Sequence, residues 1–410
     1  MNSTAAPSHE TSKPSAPLSF DEFRAGFPAL TTQTYLSICD KMILHKQVRA
    51  AVNTFLDHLE LATAVRTEHE TKVHSAREKF ARLMGVPNST IAATRNVSDG
   101  INSIAWAMPW KEGGNVVLTA DAEHPNNIYP WLRQRARGLE VRTVSPRPDG
   151  SIDVQALMDA ADTNTQLITT ATATFAPGHR TDIRPLGEFC RKRDIFLLVD
   201  GVQTAGIFHH NLPEEGIDGF ATSVSKGLLG LYGFGFLYVS EKWIDRLAPA
   251  YLSRSGVMQL TDDHSTMGGF DYQYQPDSRR FEVGSYNLAG AYAADASLDL
   301  LLQLGPENTQ KHVLGLASRF HEGLCRHGLT PAVPGSGPQQ SHILTLGQLD
   351  AGGHGFSSDP IVAPLSEQLK AHKVTHTIRR GQLRFGLHAY NSTDDIDRAL
   401  EIIGRGVKTP

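Results

Sequence analysis

The sequence predicts an α/β protein with a large, mostly parallel-sheet domain followed by a smaller α+β domain, and three observations carry that prediction. Between residues 91 and 240, short β-branched or aliphatic runs alternate with helical stretches, the pattern of strands covered by helices on both faces. Two of these runs lead into side chains with chemical capability, Asp200 and Lys226, and open α/β sheets bind ligands beyond the carboxyl ends of their strands. Past about residue 290 the chain turns helical and closes with shorter strands and a last helix, an order that suits an α+β unit.

Composition narrows the class. The 410 residues suffice for two domains at roughly 150 residues each. Apolar residues are 40% and charged residues 20% of the chain, ordinary values for a protein with a large core. With 39 basic against 43 acidic residues and a formal charge of -4, no basic field exists to hold nucleic acid or an anionic membrane. No run approaches the ~18 apolar residues of a spanning helix, and the N-terminus lacks a basic-then-apolar signal. Cys39, Cys190 and Cys325 are an odd, widely spaced set, unsuited to a disulfide framework or a CxxC metal site and suited to a reducing cytoplasm.

The elements follow in order. Residues 1–18, rich in Ser, Pro, Ala and Thr, read as a flexible tail. A helix starts near Ser19, where a capping residue precedes acids, and residues 19–35 form an N-terminal segment packing beside the small domain. The large domain spans 36–288. It opens with one or two long helices between Lys46 and Leu83, where apolar spacing is helical and opposite charges recur at i,i+4. Its strands are expected near Ile91 and in NVVLTA (115–120), VRTVSP (141–146), TQLITTATATF (165–175), DIFLLVD (194–200), GFATSVS (219–225) and GFGFLYVS (233–240). The small domain, 289–410, holds helical AYAADASLDLLLQL (291–304) and HVLGLASRFHEGLCRH (312–327), strands SHILTLG (341–347) and QLRFGLH (382–388), and the helix DDIDRALEIIG (394–404). AGGHGFSSDP (351–360) reads as a loop.

Chemistry concentrates at two strand ends. Asp200 suits a metal ligand, a ribose binder, a structural cap or a partner for a ligand cation. Lys226, in S-V-S-K-G among small and apolar residues, suits an amine whose ammonium is destabilised by burial and which is therefore nucleophilic near neutral pH. Together, a carboxylate for a pyridinium nitrogen and a lysine for a Schiff base are what pyridoxal 5′-phosphate requires.

Several ordered motifs over roughly residues 30–405 resemble the class V group of fold-type I pyridoxal-phosphate enzymes, which includes cysteine desulfurases, selenocysteine and cysteine lyases and isopenicillin N epimerase-like proteins. They are T-R-N-V-S-D-G-I-N (94–102), A-E-H-P-N-N-I-Y-P-W (122–131), D-G-V-Q (200–203), S-V-S-K (223–226), R-R-F-E-V-G-S-Y-N (279–287) and L-R-F-G-L-H-A-Y-N (383–391). The resemblance implies that Ser98 and the N–H groups of Val97 to Asp99 meet the cofactor phosphate at a helix start. Ser223 adds a phosphate contact. His124 stacks on the pyridine ring and passes protons, Asp200 pairs with the ring nitrogen, and Gln203 bonds the phenolic oxygen. Lys226 is the Schiff-base lysine, and Arg384 grips the substrate carboxylate with a two-bond fork. Gly284 and Ser285 reach the phosphate of the neighbouring subunit in a homodimer. Lys226, His124 and Asp200 are the catalytic residues implied, and the partner is a small amino-acid substrate.

Departures from the family pattern point to an altered pocket. The segment SEQLKAHKVTHTIRRGQ (366–382) ahead of Arg384 holds no cysteine, where one desulfurase branch carries its mobile one, and Cys325 on a helix reads as structural. Phe175 stands where desulfurases commonly have asparagine, and Ser225 where histidine is usual. Y-L-S-I-C-D-K-M-I-L (35–44) lacks the Gly-rich turn often found near the substrate. No metal site is expected. His69 and His74 are five apart and so face differently, His372 and His376 lack a third ligand, and His209-His210 reads as a surface loop following a helix after Asp200. G-L-L-G-L-Y-G-F-G precedes a strand and is no dinucleotide fingerprint. The resemblance leans to β-elimination at sulfur without a persulfide cysteine, with aminotransferase or amino-acid epimerase chemistry as alternatives and a non-catalytic cofactor-binding sensor as a further one.

Overall fold

Short buried runs become strands throughout the computed structural model, which describes residues 17–258 and 271–407. The N-terminal strand is β1 (Thr34–Tyr35); β2 (Ile91–Thr94), β3 (Asn115–Leu118), β4 (Glu140–Thr143), β5 (Thr165–Ala171), β6 (Phe196–Asp200), β7 (Gly219–Ser223) and β8 (Gly235–Val239) follow. The last seven form one sheet in the order β2-β8-β7-β6-β5-β3-β4. Neighbours from β7 to β4 pair in parallel, whereas β8 runs antiparallel to both β7 and β2. Side chains alternate across the sheet: Leu197 and Val199 enter one apolar cluster, Phe196 and Leu198 the other. That two-sided burial explains why these strands read as continuous apolar runs. β4 is the edge, partly exposed and carrying the Arg142–Glu140 ion pair, which blunts edge pairing.

Helices cover the faces. Lys46–Leu61 and Arg66–Met84 pack against Leu288–Leu304, where Lys72 and Lys79 both reach Asp295. A second sheet, in the order β11-β12-β9, is built from β9 (Ile343–Leu346), β11 (Thr377–Arg379) and β12 (Gln382–Gly386), all antiparallel. β10 (Val374–Thr375) pairs in parallel with β1. The helix Phe20–Ala25 starts at Ser19 with a capping box to Glu22. Arg24 then forks onto Asp395 at 2.6 and 3.0 Å and donates to Tyr390 O, tying the N-terminal segment to the closing helix Thr393–Val407.

Two expectations need correction. No helix directly follows Asp200; residues 202–207 form turns instead, stabilised by N–H groups of Thr204, Ala205, Ile207 and Phe208 donating within the segment, and the next helix is Leu212–Glu215. His210 is buried, not on the surface, because Thr204 Oγ1 and the Glu215 carboxylate satisfy its ring nitrogens at 2.9 and 3.1 Å. The tail expected over 1–18 lies outside the described residues except for Pro17 and Leu18, and Leu18 N–H donates to Gln303 O.

Two glycines close the fold around its strand ends. A Cβ on Gly206 would stand 2.4 Å from Gly227 O, and one on Gly227 would stand 2.4 Å from Ala205 O. The loop after Asp200 and the loop after Lys226 therefore touch backbone to backbone, which only residues without a side chain allow. Gly227→Ala should lower stability by about 1–3 kcal/mol. Urea unfolding checks this, and an unchanged midpoint would contradict the contact.

Candidate active site

β5, β6 and β7 end side by side, with Ala171 beside Asp200 and Asp200 beside Ala221. Beyond β2 the helix Val97–Ala107 begins with Asn96 as its cap, Asn96 Oδ1 accepting from Asp99 N–H at 3.0 Å. Ser223 Oγ accepts from Val97 N–H at 2.9 Å, which docks this helix start onto the end of β7. Between them opens a cavity of about 430 Å³ lined by Val97, Ser98, His124, Phe175, Asp200, Gln203, Ser223, Ser225 and Lys226, with Asn126 and Tyr232 at the same wall.

Burial sets the charges. Asp200 is 3% exposed; desolvation pushes its carboxyl up to about 6, against the opposing pull of the Val202 N–H and Lys226. Desolvation and then Arg384 push the Lys226 amine down, while Asp200, Cys39 and Asp40 oppose them. His124 is held below its ordinary range by burial and by the cations of Lys226 and Arg384. Its Nδ1 accepts from Asn126 N–H at 3.2 Å, so the neutral ring carries its proton on Nε2. The ring meets Phe175 edge-on at 5.4 Å.

The remaining candidates divide. Arg384 is buried in the adjoining wall; Nη1 donates to Phe175 O at 2.6 Å and Nε to Thr377 Oγ1 at 3.1 Å. Gln203 Nε2 donates to Cys39 O at 3.3 Å, and its Oε1 is buried without a partner. Asp99 turns away from the cavity to pair with Arg95 at 2.9 Å. Of the three amides expected at the phosphate, those of Val97 and Asp99 already serve Ser223 and Asn96. Gly284 and Ser285 line a different groove of about 820 Å³, with Arg77, Glu282 and Tyr286.

Sequence reasoning missed several neighbours. Glu123 lies buried beside Asp200, accepting from Ala171 N–H at 2.8 Å and Asn127 Nδ2 at 2.9 Å, and burial pushes it up to about 8. Its place next to His124 in A-E-H-P-N-N was the available signal. Cys39 is buried near Lys226 and Arg384, and burial pushes its thiol up. Cys325 is exposed on the helix Pro306–Arg326. His69 bonds Tyr292 Oη at 3.0 Å. His372 ends the helix Val362–Ala371, whereas His376 lies between β10 and β11. Among the described residues, no group of three or more His, Cys, Asp or Glu side chains gathers.

Comparison with known proteins shows the family of the chain. The family model described as aminotransferase class-V matches residues 31–399. The chain belongs to the class-V aminotransferase family. A probable cysteine desulfurase of Methanothermobacter thermautotrophicus is 28% identical over 351 residues, covering 82% of this chain and 84% of the relative. An uncharacterized aminotransferase of Bacillus subtilis is 27% identical over 386 residues, covering 93% and 97%. Among solved structures, the apo cysteine desulfurase of Thermococcus onnurineus superposes with a TM-score of 0.80 at 20% identity, covering 95% of this chain and 98% of that one. The cystine C-S lyase C-DES in complex with cysteine persulfide gives 0.80 at 18%, covering 92% and 99%.

The fold is thus that of the fold-type I enzymes, and this class-V chain is a pyridoxal 5′-phosphate-dependent enzyme. Its residues fit that cofactor. The cavity offers a helix start for a phosphate, a buried carboxylate at a second position, a lysine amine at a third, and the unpartnered Gln203 Oε1 between them.

The Asp200 shift has a measurable sign. Folded Asp200 holds its proton more tightly than an unfolded carboxyl, so the cofactor-free protein loses stability from this group as pH rises from about 4 to about 6. Asp200→Asn should therefore stabilise the cofactor-free protein by on the order of 2 kcal/mol near neutral pH and leave it little changed near pH 4, while lowering turnover of the loaded enzyme by orders of magnitude. Urea unfolding at both pH values and steady-state kinetics check this. Equal stability at neutral pH, or full turnover, would contradict the assignment.

Proposed function

We propose that this enzyme is a C–S lyase that eliminates the β-substituent of a sulfur-containing amino acid without a persulfide cysteine. One observation carries the second half of that reading. β11 and β12 pair through Arg379 and Gln382, so only Arg380 and Gly381 form the turn just ahead of Arg384, and φ is positive at both, as a tight hairpin turn requires. That segment has no arm on which a cysteine travels to the substrate. The names of the relatives, cysteine desulfurases and a cystine C-S lyase, support cysteine or cystine as the substrate class.

The roles follow from position and charge. When bound, the cofactor supplies an electron sink conjugated to the substrate Cα. Lys226 Nζ carries the cofactor between turnovers and takes the Cα proton; its depressed affinity for a proton keeps it neutral and ready for that transfer. Asp200 would hold the ring nitrogen and keep its proton in place, and His124, with its proton on Nε2, would pack on the ring. Ser98 and Ser223, with the first-turn backbone, hold the phosphate end, and Gln203 Oε1 addresses the phenolic edge. Arg384 orients the substrate carboxylate. Gly284 and Ser285, remote from Lys226 of their own chain, serve the phosphate across a homodimer interface. Unpaired cysteines suit work in a reducing cytoplasm.

Products discriminate the chemistries. The loaded enzyme given cystine or cysteine should release keto acid and ammonia together with a sulfur product. Keto acid without ammonia would identify transamination, racemised substrate alone epimerisation, and spectral change without turnover a sensor. Replacing Cys39, Cys190 and Cys325 together by alanine should leave specific activity within about twofold in protein that keeps its circular dichroism and cofactor absorbance. A folded, loaded but inactive triple variant rescued by restoring one cysteine would overturn the persulfide-free reading.

A further inference from the structure

Two arginines share the face of the small sheet that meets the large domain. Thr377 stands opposite Arg384 and Arg379 opposite Gln382, so Thr377, Arg379 and Arg384 project from one face. Arg384 has engaged Nη1 with Phe175 O and Nε with Thr377 Oγ1. Its remaining nitrogen, Nη2, lies 4.0 Å from Asp40 Oδ1. That same oxygen accepts from Arg379 Nη2 at 2.5 Å, while Arg379 Nη1 donates to Ile378 O. Asp40 belongs to the 35–44 segment, which departs from the family's Gly-rich turn. Its carboxylate stands at the arginine face, and its charge is felt at Lys226 together with those of Arg384 and Cys39.

We infer that Asp40 is a specificity-determining residue: it is a second carboxylate built into the protein, and it disfavours amino acids whose side chain ends in a carboxylate without an ammonium of its own, so aspartate- and glutamate-like acids are turned away while cysteine, and cystine with its distal zwitterion, are admitted. The inference rests on the reading of Arg384 as the carboxylate clamp. Arg379 and Arg384 bring two positive charges to this face, and Asp40 brings one negative charge, so one substrate carboxylate completes the balance. An acidic side chain's carboxylate meets Asp40 where the Arg379 side chain is 16% and that of Asp40 32% exposed, and like charges in such a part-buried setting repel. Without the Asp40 charge, Arg379 Nη2 loses its carboxylate partner beside Arg384 and can take a distal carboxylate in its place.

Unreactive acids read this directly. Propionate and succinate are titrated into the cofactor-loaded enzyme by calorimetry, for wild type, Asp40→Asn, Asp40→Ser and the double variant Asp40→Asn with Arg379→Met. Wild type should bind propionate more tightly than succinate. Both single variants should shift the ratio toward succinate by about tenfold or more, the scale of one charge-assisted hydrogen bond, and the double variant should lose that gain. Aspartate and glutamate should then compete in the single variants. Unchanged preference in the folded, loaded single variants overturns the inference, as does a succinate gain that survives loss of Arg379. A wild type that prefers succinate overturns it alone; a wild type that binds neither acid takes the Arg384 clamp with it.

Discussion

A lysine and an aspartate buried in one water-poor cavity set the terms for the rest of this molecule. Burial drives both Lys226 and Asp200 toward their neutral forms, and each charge partly offsets the penalty on the other. Such a pair persists only where its surroundings are rigid. The rigidity comes from backbone: Gly206 and Gly227 in contact, Ser223 holding the helix start at Val97, and Ala171 N–H anchored on Glu123. A further clamp comes from the small sheet's flank, where His388 Nε2–H donates to Gly227 O at 2.9 Å. Burial pushes His388 down to about 4, so it makes this bond as a neutral ring.

The second sheet is therefore part of the site's construction. Thr345 Oγ1 donates to Pro177 O at 2.9 Å, Arg384 to Phe175 O, and Arg380 Nη1 to Asp121 O at 2.7 Å. Each reaches a backbone carbonyl of the large sheet's loops, so one polar face of a three-stranded sheet positions Phe175 and the approach to His124. The N-terminal segment ties into the same domain through a separate two-stranded sheet, β1–β10, and through the fork of Arg24 onto Asp395 of the closing helix. Phe175, a departure from the desulfurase pattern, fits this logic: its ring touches His124 while its carbonyl orients Arg384.

What the sequence made legible was local. Strands buried on both faces announce themselves as aliphatic runs, Ser19 as a cap, and Asp200 and Lys226 by standing at strand ends. The features that stayed hidden depend on distant chain segments meeting. Cys39 and Asp40 reach Lys226 and the arginine pair across more than 180 and 330 residues of sequence, and Arg379 joins Arg384 only through the hairpin register. His210 looked superficial because its partners, Thr204 and Glu215, come together only when the turns after Asp200 fold back. The amides of Val97 and Asp99 looked free because a cap and a neighbouring strand end are invisible to a motif.

The central claim is that Lys226 is the amine that carries the cofactor in this desolvated cavity. Borohydride reduction of the loaded enzyme, followed by proteolysis and mass spectrometry, tests it most directly. The account predicts yellow protein whose pyridoxyl mass sits on the peptide containing Lys226, and no such label in Lys226→Ala. Stable label on any other lysine, with wild-type absorbance retained in Lys226→Ala, would contradict it.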